Sequence, residues 1–231
     1  MIFSWSSLVL FIVAVSLCVL NVASGLLAPD FYARVMADEK GVVENVQVFF
    51  LTLALGLNLS MLWLMRGGEY PRRMRAWLIV IAAGLVFVLG EEISWGQHYV
   101  GWDAFGWFVH RNDQLETNLH NTSSWLDQKP RMLLVTALLV GGLIVPLLER
   151  SRQRVLLNLP EWFKPALENV PLAALVIIAQ LPKQINGLKL PGVHFDVPNL
   201  RFSEMQELLI YIYFVAYLLT VFVKYLRSRP V

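Results

Sequence analysis

The side chains best suited to proton transfer or cation binding in this chain lie where a charge is expensive. Glu91 and Glu92 sit side by side in the apolar run LVFVLGEEISWGQH. A polar stretch follows, carrying Asn112, Gln114, Glu116, His120 and Asn121. A charged side chain at the centre of a membrane helix costs about 2.5–3.5 kcal/mol on insertion scales, so such groups usually serve function. Glu116 and His120 are spaced i,i+4 and share a face if their segment is helical, with Asn112 one turn earlier. A glutamate and a histidine so placed can ligate one metal ion, with Glu92 as a further ligand. A hydrogen-bonded pair steadying a wet loop is the plain alternative. Glu91 and Glu92 point about 100° apart on a helix. When both are ionised they repel, and a metal, protonation or a nearby Arg such as Arg111 relieves this. His98 lies nearly on the face of Glu91 but about 10 Å further along a helix. The two meet only if the helix ends between them, and Gly96 offers the break.

These groups must be positioned by membrane helices. The chain has 231 residues, of which 57% are hydrophobic and 16% charged. That is too apolar for an ordinary soluble domain. The single cysteine, Cys18, lies in an apolar run; it excludes an intramolecular disulfide and a cysteine-only metal cluster. A spanning helix needs about 20 mostly apolar residues. Six segments qualify: residues 7–28, 42–65, 76–99, 132–148, 166–181 (the shortest) and 207–225. The first has no basic residue before it and is longer than a signal-peptide core, so it reads as a retained helix.

Basic residues set the orientation. Arg66, Arg72, Arg73 and Arg75 follow the second span; Arg150, Arg152, Arg154 and Lys164 follow the fourth; Lys224, Arg227 and Arg229 follow the sixth. These three places share a side if there are six spans, and the positive-inside rule makes that side cytoplasmic. The expectation is an all-α membrane protein, a bundle of about six transmembrane helices with both termini cytoplasmic. It forms one domain over residues 1–231, with outer loops at about 100–131 and 182–206.

This topology brings the unusual polar groups to one depth. Glu44 and Gln47 share a face at the outer start of the second span. Glu204 and Glu207 share one at the head of the sixth, with Ser203 as a possible cap and His194 in the loop before it. The helix dipole explains acidic residues at a helix start. It does not explain their alignment with Glu91, Glu92 and His120. Trp102, Phe105, Trp107 and Phe108 suit a segment lying among lipid headgroups. The sequons at Asn58 and Asn121 are weak matches, the first being inside a span. There is no phosphate-binding loop, dinucleotide fingerprint, HExxH or GxSxG, no internal repeat, and nothing that reads nucleic acid.

The run Gly90-Glu91-Glu92-Ile93-Ser94-Trp95-Gly96-Gln97, followed by Asn112-x-Gln114-x-Glu116-x-Asn118-Leu119-His120-Asn121, resembles a family of uncharacterised bacterial multi-pass membrane proteins. The similarity extends to Gly41-x-x-Glu44 and to Ser203-Glu204-x-x-Glu207, and so covers most of the chain. It departs at His98, where the resemblance leads one to expect a basic residue such as Arg; this counts against His98 as a ligand. The resemblance implies a bacterial cytoplasmic-membrane protein and brings no activity with it.

The expected site therefore has Glu91, Glu92 and Glu44 as catalytic groups. Glu116, His120 and Glu92 are the candidate ligands of a divalent zinc, manganese or iron ion. Asn112, Gln114, Asn121, Glu204 and Glu207 would bind substrate. The first reading is a metal-dependent hydrolase or transferase acting on a lipid or lipid-linked substrate at the outer face. The others are a non-catalytic subunit of an envelope assembly, docking on a protein partner, and a proton- or cation-coupled transporter. A carrier usually has its site between repeated halves near the midplane, which this sequence lacks.

Overall fold

A computed structural model describes residues 4–38, 40–67, 71–112, 114–151, 160, 162–188 and 200–227. His194, Arg152, Arg154 and Arg229 lie outside them. The described residues are helical with no strand. The principal helices are α1 (Trp5–Leu27), α2 (Val42–Leu64), α3 (Arg72–Glu92), α4 (Ser124–Ala137, continuing through a π-helical stretch Leu138–Ile144 into Val145–Arg150), α5 (Val170–Ile178), α6 (Leu181–Gly187) and α7 (Phe202–Arg227). Five stretches are long and apolar enough to cross a membrane: α1, α2, α3, Gln128–Arg150 within α4, and α7. The protein is thus an all-α membrane bundle.

The hub is α7. Its most apolar window is 72% buried, against 22–33% for the other four spans. A helix that is apolar on every side belongs inside the bundle, and α7 packs chiefly on α2 and also on α1 and α5. Close approach of α4 needs a missing side chain. A Cβ on Gly142 would lie 2.6 Å from the Tyr213 hydroxyl. The π-helical stretch there precedes Pro146, which has no N–H to give to the turn before it.

The expected fifth span is broken in two. The nine-residue α5 is about 14 Å long, too short to cross alone. Pro171 lies in its first turn and Pro182 in the first turn of α6. Together the pair still climbs the bundle. At its start Asn169 donates to Thr220 Oγ1 (3.0 Å) near the end of α7. At its far end Lys183 donates to Ser203 Oγ (2.9 Å) at the head of α7. Ser7, at the start of α1, donates to Asn169 Oδ1 (2.9 Å). The start of α1 and the end of α7 therefore lie at the same end of the bundle, as an even number of traverses requires.

The third span also ends early. It runs to Glu92, where the sequence suggested about 99. Ser94, Trp95 and Gly96 then take positive φ values of 48°, 54° and 106°. This left-handed turn strains the two residues that carry a Cβ. It sends the chain back over the end of α3, and His98 rides on the short helical turn Gln97–Val100.

Candidate functional site

The polar groups gather at the end of the bundle opposite the start of α1 and the end of α7. A cavity of about 930 Å³ is lined by Glu44 from α2, Glu91 and Glu92 from α3, Arg131 from α4, and Glu204, Glu207 and Tyr211 from α7. The segment between α3 and α4 adds His98, Gln114, Glu116, His120 and Asn121, and Lys183 comes from α6. Every expected site residue but one lines this space; Asn112 stands behind the wall.

Two histidine–glutamate pairs organise it. In the first, Glu116 is buried and His98 Nε2 meets its Oε1 at 2.6 Å. Ser94 Oγ, Asn118 Nδ2 and Asn121 Nδ2 donate to Oε2 at 2.9, 2.5 and 3.1 Å. Burial alone would raise the Glu116 pKa. The bonds from His98 and Ser94 outweigh it and hold the carboxyl below its ordinary value. Asn112 supports this pair from behind by donating to Asn118 Oδ1 at 2.8 Å. Asn121 also donates to Gln114.

In the second pair, Glu91 Oε2 lies 3.4 Å from His120 Nδ1. The same oxygen accepts the backbone N–H groups of Leu119 (2.7 Å) and His120 (2.9 Å), and Oε1 accepts Trp95 Nε1 at 2.8 Å. Burial would lower the His120 pKa. The bond to Glu91 and the charges of Glu92, Glu91 and Glu116 outweigh it and raise the pKa above the ordinary 6.5. The imidazole is 36% exposed and the carboxylate 7%, so a sheltered acid orients a ring that faces the cavity.

The remaining groups are tied to the bundle. Tyr211 donates to Glu92 Oε1 at 2.6 Å. Arg131 and Glu207 form an ion pair at 2.7 Å. Gln47 donates to the Glu204 carbonyl at 2.9 Å. Ser203 follows the first residue of α7 and receives Lys183, so it is not the cap.

Two local expectations are corrected. Residues 112 and 114–119 are not helical, and Leu115 has φ +55°. Glu116 and His120 therefore do not meet as an i,i+4 pair; each takes a different partner. Arg111 is exposed, and Glu91 pairs with His120 instead. Among the described residues no three His, Cys, Asp or Glu side chains are set to hold one metal ion. Sequence reasoning missed Ser94, Trp95, Asn118, Lys183, Arg201 and Tyr211 as wall or support. The signal for Tyr211 was available: it lies one turn inside the span from Glu207, on the same face.

Compared with protein-family models, curated proteins and solved structures, the chain gives no match.

Proposed function

We propose that this protein is a bacterial cytoplasmic-membrane enzyme that performs acid–base chemistry on the polar head of a lipid or lipid-linked substrate. One observation carries the reading: a buried glutamate holds a histidine whose ring faces a cavity shared with Glu44, Glu92 and Glu204. A base oriented by a third group is the arrangement that hydrolysis and group transfer use. His120 takes the proton of an attacking hydroxyl or water and returns it to the leaving group. Glu91 fixes the ring and balances its charge. Glu92 and Glu44 accept hydrogen bonds from the substrate head, and Glu204, Glu207, Gln114 and Asn121 shape its seat. Arg72, Arg73, Lys164 and Lys224 belong to the opposite end of the bundle. By the positive-inside rule that end is cytoplasmic, and the cavity faces outward.

The test is lipid mass spectrometry of vesicles made from bacterial lipid and carrying the purified protein. Wild type should change a lipid head that the His120→Ala variant leaves intact. Equal lipid profiles from the two proteins would sink the enzyme reading. Cation-dependent flux or a stoichiometric protein partner would then favour the carrier or the assembly subunit. Elemental analysis tests the metal-dependent form. Near-stoichiometric zinc, manganese or iron, lost in Glu116→Ala/His120→Ala, would replace the acid–base reading with a metal-activated one.

A further inference from the structure

The cavity changes character one helical turn below its rim. On α3 the rim residues Glu91 and Glu92 are followed toward the bundle centre by Phe87 and Val88, each four positions away. On α4 Arg131 gives way to Leu134, and on α7 Glu207 gives way to Ile210. All of these line the same space. Three helices thus present a polar group at the end of the bundle and an apolar one about 5 Å deeper.

The helices around the cavity also leave a seam. Among the described residues α3 packs along α2, α2 along α7, and α7 against α4. Among the described residues the packing of α3 on α4 is sparser than any of these. A bridge crosses the top of this gap. There the backbone N–H groups of Leu119 and His120 bind Glu91, and the turn His120–Thr122 packs on the head of α4. Below this bridge, Phe87 borders the seam and is 43% exposed. In a bilayer the medium outside such a seam is acyl chain.

We propose that the substrate enters sideways from the membrane, between α3 and α4. Its acyl chain lies against Phe87, Val88 and Leu134, and its head reaches His120 and Glu92. The occupant is therefore a chain-bearing membrane lipid, not a water-soluble head arriving from above. This rests on the reading of His120 as the reacting base, but the two can fail separately.

The probe is an amine-headed diacyl lipid with a photoactivatable diazirine in mid-chain, mixed into vesicles holding the full chain. An amine head suits a rim whose six glutamates outnumber Arg131, Lys183 and Arg201, with His98 and His120 each held by one of those glutamates. Peptide mapping after illumination should show several-fold more label at Phe87, Val88 and Leu134 than at Leu20, an exposed residue of α1. Leu134→Trp should abolish that excess, while Leu20→Trp should leave it. His120→Ala should keep the labelling and lose turnover. Equal labelling at the seam and at Leu20 in wild-type protein overturns side access and leaves the acid–base reading standing. Seam labelling with turnover unaffected by His120→Ala does the reverse. Because the deciding comparison is made within wild-type protein, a misfolded Leu134→Trp does not decide the outcome.

Discussion

The two histidine–glutamate pairs are built from the same residue types a few ångströms above the same bundle, yet they differ in what they leave free. His98–Glu116 is closed: the contact is 2.6 Å and the imidazole is 14% exposed. Three further donors fill the carboxylate. His120–Glu91 is open: the contact is 3.4 Å and the imidazole is 36% exposed. A saturated pair has no lone pair or proton to offer without breaking the fold. The open pair can exchange a proton with whatever enters the cavity. Composition and donor number do not distinguish them; the tightness of the contact and the exposure of the ring do.

Four experiments break or sharpen this contrast. The largest effect is expected from His120→Ala. Turnover should fall by about 10²–10⁴, the usual contribution of a general base, with the melting temperature falling less than in His98→Ala. His98→Ala should do the opposite, lowering the melting temperature more than the turnover. If both variants lose activity with unchanged melting, the contrast is wrong.

Next is Glu91→Gln. Without the carboxylate, the His120 pKa falls and its basic form persists to lower pH. The acid limb of the rate–pH profile should therefore move to lower pH while the maximal rate drops. An unmoved limb would remove Glu91 from any role in orienting or charging the ring.

Thermal melts across pH separate the pairs by sign. Glu116 has a lowered folded pKa. Its contribution is present above the unfolded value of about 4.3 and is lost as pH falls through the folded value. His120 has a raised folded pKa. Its contribution is full below the unfolded value of about 6.5 and is lost as pH rises through the folded value. Glu116→Gln should flatten the acid side of the melting profile and His120→Gln the neutral-to-alkaline side. Exchange of these two assignments would overturn the pairing.

The smallest effect belongs to Gly90→Ala. The added Cβ would sit 2.9 Å from the Trp95 ring, which donates to Glu91. Overpacking of this kind costs about 1–3 kcal/mol. The strain should fall on the open pair, giving a modest loss of turnover. The closed pair, and with it the acid side of the melting profile, should be untouched.

The helices and their common level were legible because hydropathy and basic loops are additive along the chain. Glu44, Glu91, Glu92, Glu204 and Glu207 were placed together by counting traverses alone. The pairing of histidines with glutamates was not legible. It depends on a left-handed turn at Ser94–Gly96 that ends α3 four residues before the glycine a reader would choose. Two of those residues adopt φ values their types disfavour, held there by contacts distant in sequence, such as Thr117 Oγ1 donating to the Ser94 carbonyl at 2.9 Å. The i,i+4 spacing of Glu116 and His120 misled for the same reason, since spacing has meaning only on a helix. The shortness of the fifth span, ending at residue 181, was visible in the sequence. That α5 and α6 still climb the bundle together was not.

The most buried helix is also the last of these helices to leave the ribosome. Until α7 arrives, Glu92 lacks Tyr211, Arg131 lacks Glu207, Asn169 lacks Thr220 and Trp77 lacks Tyr217. The earlier segments must therefore wait in the membrane as a loose, incompletely satisfied ring that closes around its own centre once α7 is made. A chain stopped before residue 202 would lose the axle on which the other helices are assembled, and quality-control proteases should meet it as an open bundle with carboxylates facing lipid.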